Sequence, residues 1–70
     1  MIEQKLTQRE TDTLNLVVKG YSNSEIAEEL TVSIHTVKAH IESIYAKLCV
    51  HNKVQAAVYA LQHNLVDIVF

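Results

Sequence analysis

An all-α domain of four short helices is the fold this sequence predicts, and three observations predict it. Proline is absent and glycine occurs once, at Gly20, so the usual helix breakers are almost missing from the 70 residues. Thr7, Ser22, Ser33 and Asn52 each stand where a helix N-cap is wanted, ahead of a run that can continue as helix. Between these caps the apolar residues recur at helical rather than strand spacing. A chain this short is read as one domain over residues 1–70, with no room for a second.

The first helix is expected over approximately residues 8–19. Thr7-Gln8-Arg9-Glu10 is a T-x-x-E capping box, in which hydroxyl and carboxylate each satisfy a free N–H group at the helix start. Leu14, Val17 and Val18 fall on one side, which Glu10 and Thr13 share, so the stripe is imperfectly apolar. Gly20 stands where a left-handed residue ends the helix. Ser22-Asn23-Ser24-Glu25 is a second capping box and opens a helix over 23–30 with Ile26, Ala27 and Leu30 on its inner side. Only Thr31 and Val32 precede the next cap, Ser33, and two helices joined so tightly must cross steeply, as in a helix-turn-helix.

The third helix, 34–48, carries Val37, Ile41, Ile44, Tyr45 and Leu48 at the spacing of a buried face. His35, Lys38, Ala39, Glu42 and Ala46 lie opposite, with Thr36, His40, Ser43 and Lys47 on the flank between. Asn52-Lys53-Val54-Gln55 resembles a third capping box, opening a fourth helix over 53–63 with Asn64 as its terminating residue. That helix has two stripes. Ala56, Ala57 and Ala60 are small enough for close packing on the domain, whereas Val54, Val58, Leu61 and Leu65 lie on a different face. A terminal helix in so small a domain cannot bury both sides internally, so the second stripe reads as a contact with another chain. Docking on a further domain of a longer protein is the alternative. The apolar tail, Val66-Asp67-Ile68-Val69-Phe70, is expected to fold back over the core.

Composition narrows the functions. Six Lys and Arg against eight Asp and Glu give a formal charge of −2, which predicts weak DNA affinity for a single copy. The one cysteine, Cys49, forbids an internal disulfide and a C-x-x-C knuckle and suits a reducing, cytoplasmic setting. The N-terminus lacks the apolar core of a signal peptide, and no apolar run approaches the ~18 residues of a membrane helix. The four histidines raise a metal site, sharpened by Cys49-x-His51, but His35 and His40 are spaced off a single helical face and no carboxylate completes a set. No metal or cofactor is expected. Nor is an enzyme, since no pocket-forming pair of carboxylates or glycine-rich loop is visible.

Read in order, Leu6-Thr7-x-Arg9-Glu10, Gly20-x-Ser22-Asn23-x-Glu25-Ile26-Ala27-x-x-Leu30, Ser33-x-x-Thr36-Val37-Lys38-x-His40 and Lys47-Leu48-x-Val50 closely resemble the LuxR-type helix-turn-helix domain, over residues 6–61. That domain is the DNA-binding output of many bacterial response regulators and quorum-sensing receptors, and a few small members stand alone. The resemblance implies double-stranded DNA as the partner, the third helix in the major groove, and a homodimer formed through the fourth helix at Val54, Val58, Leu61 and Leu65. It places Lys38, Ala39 and Glu42 at base edges, and Asn23, Ser24, Ser33, Thr36 and His40 on the sugar-phosphate backbone. It also admits RNA polymerase as a partner.

Three residues depart from the family pattern. Glu42 stands where a basic or neutral residue is usual; its carboxylate repels phosphate but can accept from a cytosine amino group. Lys53 replaces the usual Arg and loses bidentate geometry. Cys49 stands where Gly or Asn is common, at a position that favours the left-handed conformation. Two other readings compete: a promoter-recognition domain like region 4 of sigma factors, which shares the L-T-x-R-E opening, and a protein-interaction module on the same scaffold, favoured by the negative charge and Glu42.

Overall fold

A computed structural model describes residues 5–66 as four helices in the order expected: α1 (Gln8–Val18), α2 (Asn23–Leu30), α3 (Ile34–Leu48) and α4 (Lys53–Gln62). No strand occurs among these residues. Lys19 and His63 are C-caps rather than helical residues, so the first and last helices end one residue earlier than their patterns suggest.

The N-termini form as side-chain chemistry requires. Thr7 Oγ1 accepts from Glu10 N at 3.1 Å while Glu10 Oε1 accepts from Thr7 N at 2.8 Å, a complete capping box. Ser22 and Glu25 repeat it, at 3.2 Å and 2.8 Å. Asn52 Oδ1 accepts from Gln55 N at 2.9 Å, but the reciprocal arm differs from the expectation. Gln55 Oε1 accepts from His51 N at 2.8 Å, one residue before the N-cap, rather than from Asn52 N.

All four helices end with the same device. Gly20, Thr31, Cys49 and Asn64 take positive φ values of 93°, 58°, 57° and 53°. Each time the residue that follows, Tyr21, Val32, Val50 or Leu65, donates its N–H across the last turn, to Leu16, Ala27, Tyr45 and Ala60 oxygens at 2.9–3.0 Å. That is the Schellman arrangement, and its second part is an apolar residue folded back on the helix it has just ended. Here Tyr21 and Val32 pack on one core cluster and Val50 and Leu65 on the other. Thr31 and Cys49 adopt the left-handed conformation despite their side chains, which disfavour it.

The core has two parts, and α3 runs through both. Its first half places Val37 and Ile41 against Leu16 and Val17 of α1 and Ile26 and Ala27 of α2. Its second half places Ile44 and Leu48 against Leu14 of α1 and Ala56 and Ala60 of α4. Half-buried Tyr45 packs against both, and burial raises the pKa of its hydroxyl. The first helix buries a broader face than its stripe indicates. Leu16 is in the core and Val18 only half-buried, since α1 must meet α2, α3 and α4. No helix among the described residues is long and apolar enough to cross a membrane. Of the tail, Val66 packs on the second cluster, and 67–70 lie outside the described residues.

Candidate nucleic-acid interface

The outer face of α3 is laid out as its sequence predicts. His35, Lys38, Ala39, Glu42 and Ala46 are all exposed, while Val37, Ile41, Ile44 and Leu48 on the opposite side are buried. Thr36, His40, Ser43 and Lys47 are half-buried between the two. The three residues expected at base edges, Lys38, Ala39 and Glu42, therefore share one open face one helical turn long. Lys38 and Glu42 are one turn apart, so the cation and the carboxylate lie side by side on it.

Apart from His40, half-buried on the flank of α3, the residues expected on the backbone fall into two groups. Ser33 and Thr36 mark the N-terminus of α3, where Ser33 Oγ accepts from Thr36 N at 3.0 Å and donates to Thr36 Oγ1 at 3.0 Å. Both hydroxyls thus already serve the cap, and the exposed Ser33 oxygen retains acceptor capacity toward solvent. Asn23 and Ser24 occupy the first turn of α2, half-buried and exposed respectively. The two helix starts are not equivalent electrostatically. Glu25 lies in the first turn of α2, and hydrogen bonds from the Ser22 backbone and hydroxyl hold its carboxyl below the usual carboxylate range. The first turn of α3 has no acidic residue, so its dipole faces outward without a competing carboxylate.

On α4, Val54, Val58 and Leu61 are 71%, 47% and 47% exposed, an apolar surface on which the rest of the described chain does not pack. Leu65 separates from them. It lies beyond the helix as the apolar member of the terminating motif, and its side chain is half-buried against the second core cluster. The exposed stripe is therefore three residues long, not four. Tyr59 stacks on His63 at a ring separation of 4.1 Å, which covers the last turn of the helix.

A polar centre behind the interface escaped the sequence patterns. Glu10, only 5% exposed, accepts from Lys47 Nζ at 2.7 Å and from Ser43 Oγ at 2.5 Å. Lys47 also donates to the Lys5 carbonyl at 3.2 Å. Burial acts to raise the Glu10 pKa, but the hydrogen bonds from Lys47, Ser43 and the Thr7 backbone, with the lysine charge, outweigh it and bring it down to about 2. One signal was available. A carboxylate on a core-facing stripe must find a partner, and Ser43 and Lys47 sit one turn apart on the flank of α3.

Against known proteins, residues 4–60 match the family model described as bacterial regulatory proteins, luxR family. The response regulator protein VraR of Staphylococcus aureus is 49% identical over 64 residues, covering 91% of this chain and 31% of VraR. This chain therefore spans about a third of the length of that relative. Among solved structures, the transcription factor GerE superposes with a TM-score of 0.82 at 32% identity, covering 91% of this chain and 97% of GerE. A Vibrio cholerae VqmA dimer in the absence of target DNA, described in connection with the DNA-binding mechanisms of LuxR-type receptors, superposes with a TM-score of 0.84 at 31% identity over 87% of this chain and 28% of VqmA.

Proposed function

This chain belongs to the luxR family of bacterial regulatory proteins, a family of helix-turn-helix DNA-binding transcription regulators, and we propose that it reads double-stranded DNA sequence-specifically as a dimer. In this reading α3 enters the major groove and α4 joins two copies. The observation that carries it is the division of α3 into a buried aliphatic side and an exposed polar side. A major groove about 12 Å wide admits one such helix. Lys38 donates to guanine N7 or O6, Glu42 accepts from a cytosine amino group, and Ala39 lies against a thymine methyl.

Ser33, Thr36 and His40 on α3, with Asn23 and Ser24 at the start of α2, hold the sugar-phosphate backbone and set the register. The free N-terminal turn of α3 supports phosphate binding there. Dimerisation answers the negative charge of the chain, since two copies double the phosphate contacts and add avidity. Val54, Val58 and Leu61 provide the apolar contact.

The test is retention of a randomised duplex pool at increasing salt, followed by sequencing. Enrichment of a motif with two half-sites is expected. A folded chain that enriches nothing at low salt contradicts the reading.

A further inference from the structure

We infer that Glu10 is a positioning residue for DNA recognition: through Ser43 and Lys47 it fixes the roll and axial register of α3, and so the aim of the base-reading face. The inference rests on the proposed DNA reading for its consequence, but its geometry does not. Glu10 is itself held rigidly, because its backbone N–H and one carboxylate oxygen are both tied to Thr7. From that fixed point its two oxygens reach two side chains one turn apart on α3, Oε2 to Ser43 and Oε1 to Lys47. Two attachments along a helix define both its rotation about its axis and its position along it.

Those attachments lie on the same flank that carries Thr36 and His40 nearer the N-terminus. The aliphatic contacts around Val37, Ile41, Ile44 and Leu48 are non-directional and constrain rotation less sharply than two directional hydrogen bonds. Aliphatic cores tolerate repacking and lose uniqueness before they lose stability. A roll of about 20° moves a side chain at the ~5–6 Å helix radius by about 2 Å. That is enough to break a hydrogen bond to a base edge, while long side chains still follow a phosphate. A buried ion pair is seldom a strong source of stability, and its best-attested use is to set register.

Two variants test this on the duplex obtained from the randomised pool and a scrambled version of it. Glu10→Leu combined with Ser43→Ala and Lys47→Met replaces the polar centre by apolar groups, which is expected to leave the melting midpoint close to wild type. Ser43→Ala removes one attachment from a half-buried surface and carries the test if the triple variant does not fold. Affinity for the selected duplex is expected to fall about tenfold or more in the triple variant, and by less in Ser43→Ala, with affinity for the scrambled duplex unchanged. Folded variants with wild-type discrimination overturn the inference, as does a parallel loss of both affinities that merely tracks stability. Residual dipolar couplings of the free proteins decide the register claim without DNA. The orientation of α3 relative to α1 should change in the triple variant or, if that does not fold, in Ser43→Ala. Unchanged couplings overturn the inference even where the wild type reads no sequence and the functional proposal has failed by itself.

Discussion

The ammonium of Lys47, at the end of α3, donates to the Glu10 carboxylate at the start of α1 across 2.7 Å and 37 residues of sequence. The pair is well shielded, its side chains 21% and 6% exposed, so removing one partner strands the other. Lys47→Met is expected to cost on the order of 3 kcal/mol, because Glu10 keeps its burial and loses its cation. Urea unfolding at neutral pH measures this directly.

The same pair governs the acid limb of stability. The Glu10 pKa falls from 4.5 to about 2 on folding, so the unfolded chain takes up its proton first as pH drops. The stabilisation is fully present above pH 4.5 and is lost as pH falls toward about 2. Its size is on the order of 3 kcal/mol. In Glu10→Gln the decline in unfolding free energy across that window should flatten, with the loss already present at neutral pH. A slope identical to wild type would show that Glu10 does not carry it.

Cys49 is expected to be improvable. Its φ of 57° puts a side chain in a conformation that costs about 1–2 kcal/mol for an L-residue and little for glycine. Cys49→Gly should stabilise the domain by about 1 kcal/mol, part of the relief being offset by the extra freedom of glycine in the unfolded chain. Thermal unfolding of the two proteins checks it, and a lower midpoint for the glycine variant would contradict it.

These left-handed positions mark where sequence reading stops. Gly20 and Asn64 announce themselves as helix terminators by residue type and the Cys49 position is marked by the family pattern alone, whereas Thr31 takes the same conformation with no signal of either kind. What imposes it is the apolar residue that follows, Val32 or Val50, which must fold back onto the core. Leu65 leaves the outward stripe for the same reason: α4 ends at Gln62, and the helical period does not continue to a residue that folds back on the core. Caps are legible because donor and acceptor lie within four residues, as at Thr7 and Ser22. The Glu10–Lys47 pair is not, because nothing in either local pattern brings α1 to the end of α3. For the interface, the exposed and flanking residues of α3 follow from helical period alone, while their partners on DNA follow from family resemblance.

On α4, Val58→Asp places a carboxylate in the exposed apolar stripe. The monomer should keep its fold, since Val58 is 47% exposed. Under the proposed dimerisation, the solution mass should fall to that of one chain and affinity for a two-half-site duplex should drop by tenfold or more, through lost avidity. Light scattering on wild type and variant distinguishes this, and an unchanged mass would remove α4 as the dimer contact.

Lys38→Ala tests the proposed base contact. Affinity for the selected duplex should fall by about 1–3 kcal/mol, and discrimination should relax at one position of the motif. Fluorescence anisotropy on single-position duplex variants reads this out. A uniform loss across all positions would instead make Lys38 a phosphate contact.

Chemical-shift mapping decides whether α3 is the reading element. Labelled protein would be titrated with the selected duplex and, as control, the scrambled one. The largest shifts specific to the selected duplex are expected at Ser33, Lys38, Ala39 and Glu42, with smaller ones at Asn23 and Ser24. Shifts confined to the α1–α2 face around Asp12, Lys19 and Glu29, with α3 unmoved, would contradict it.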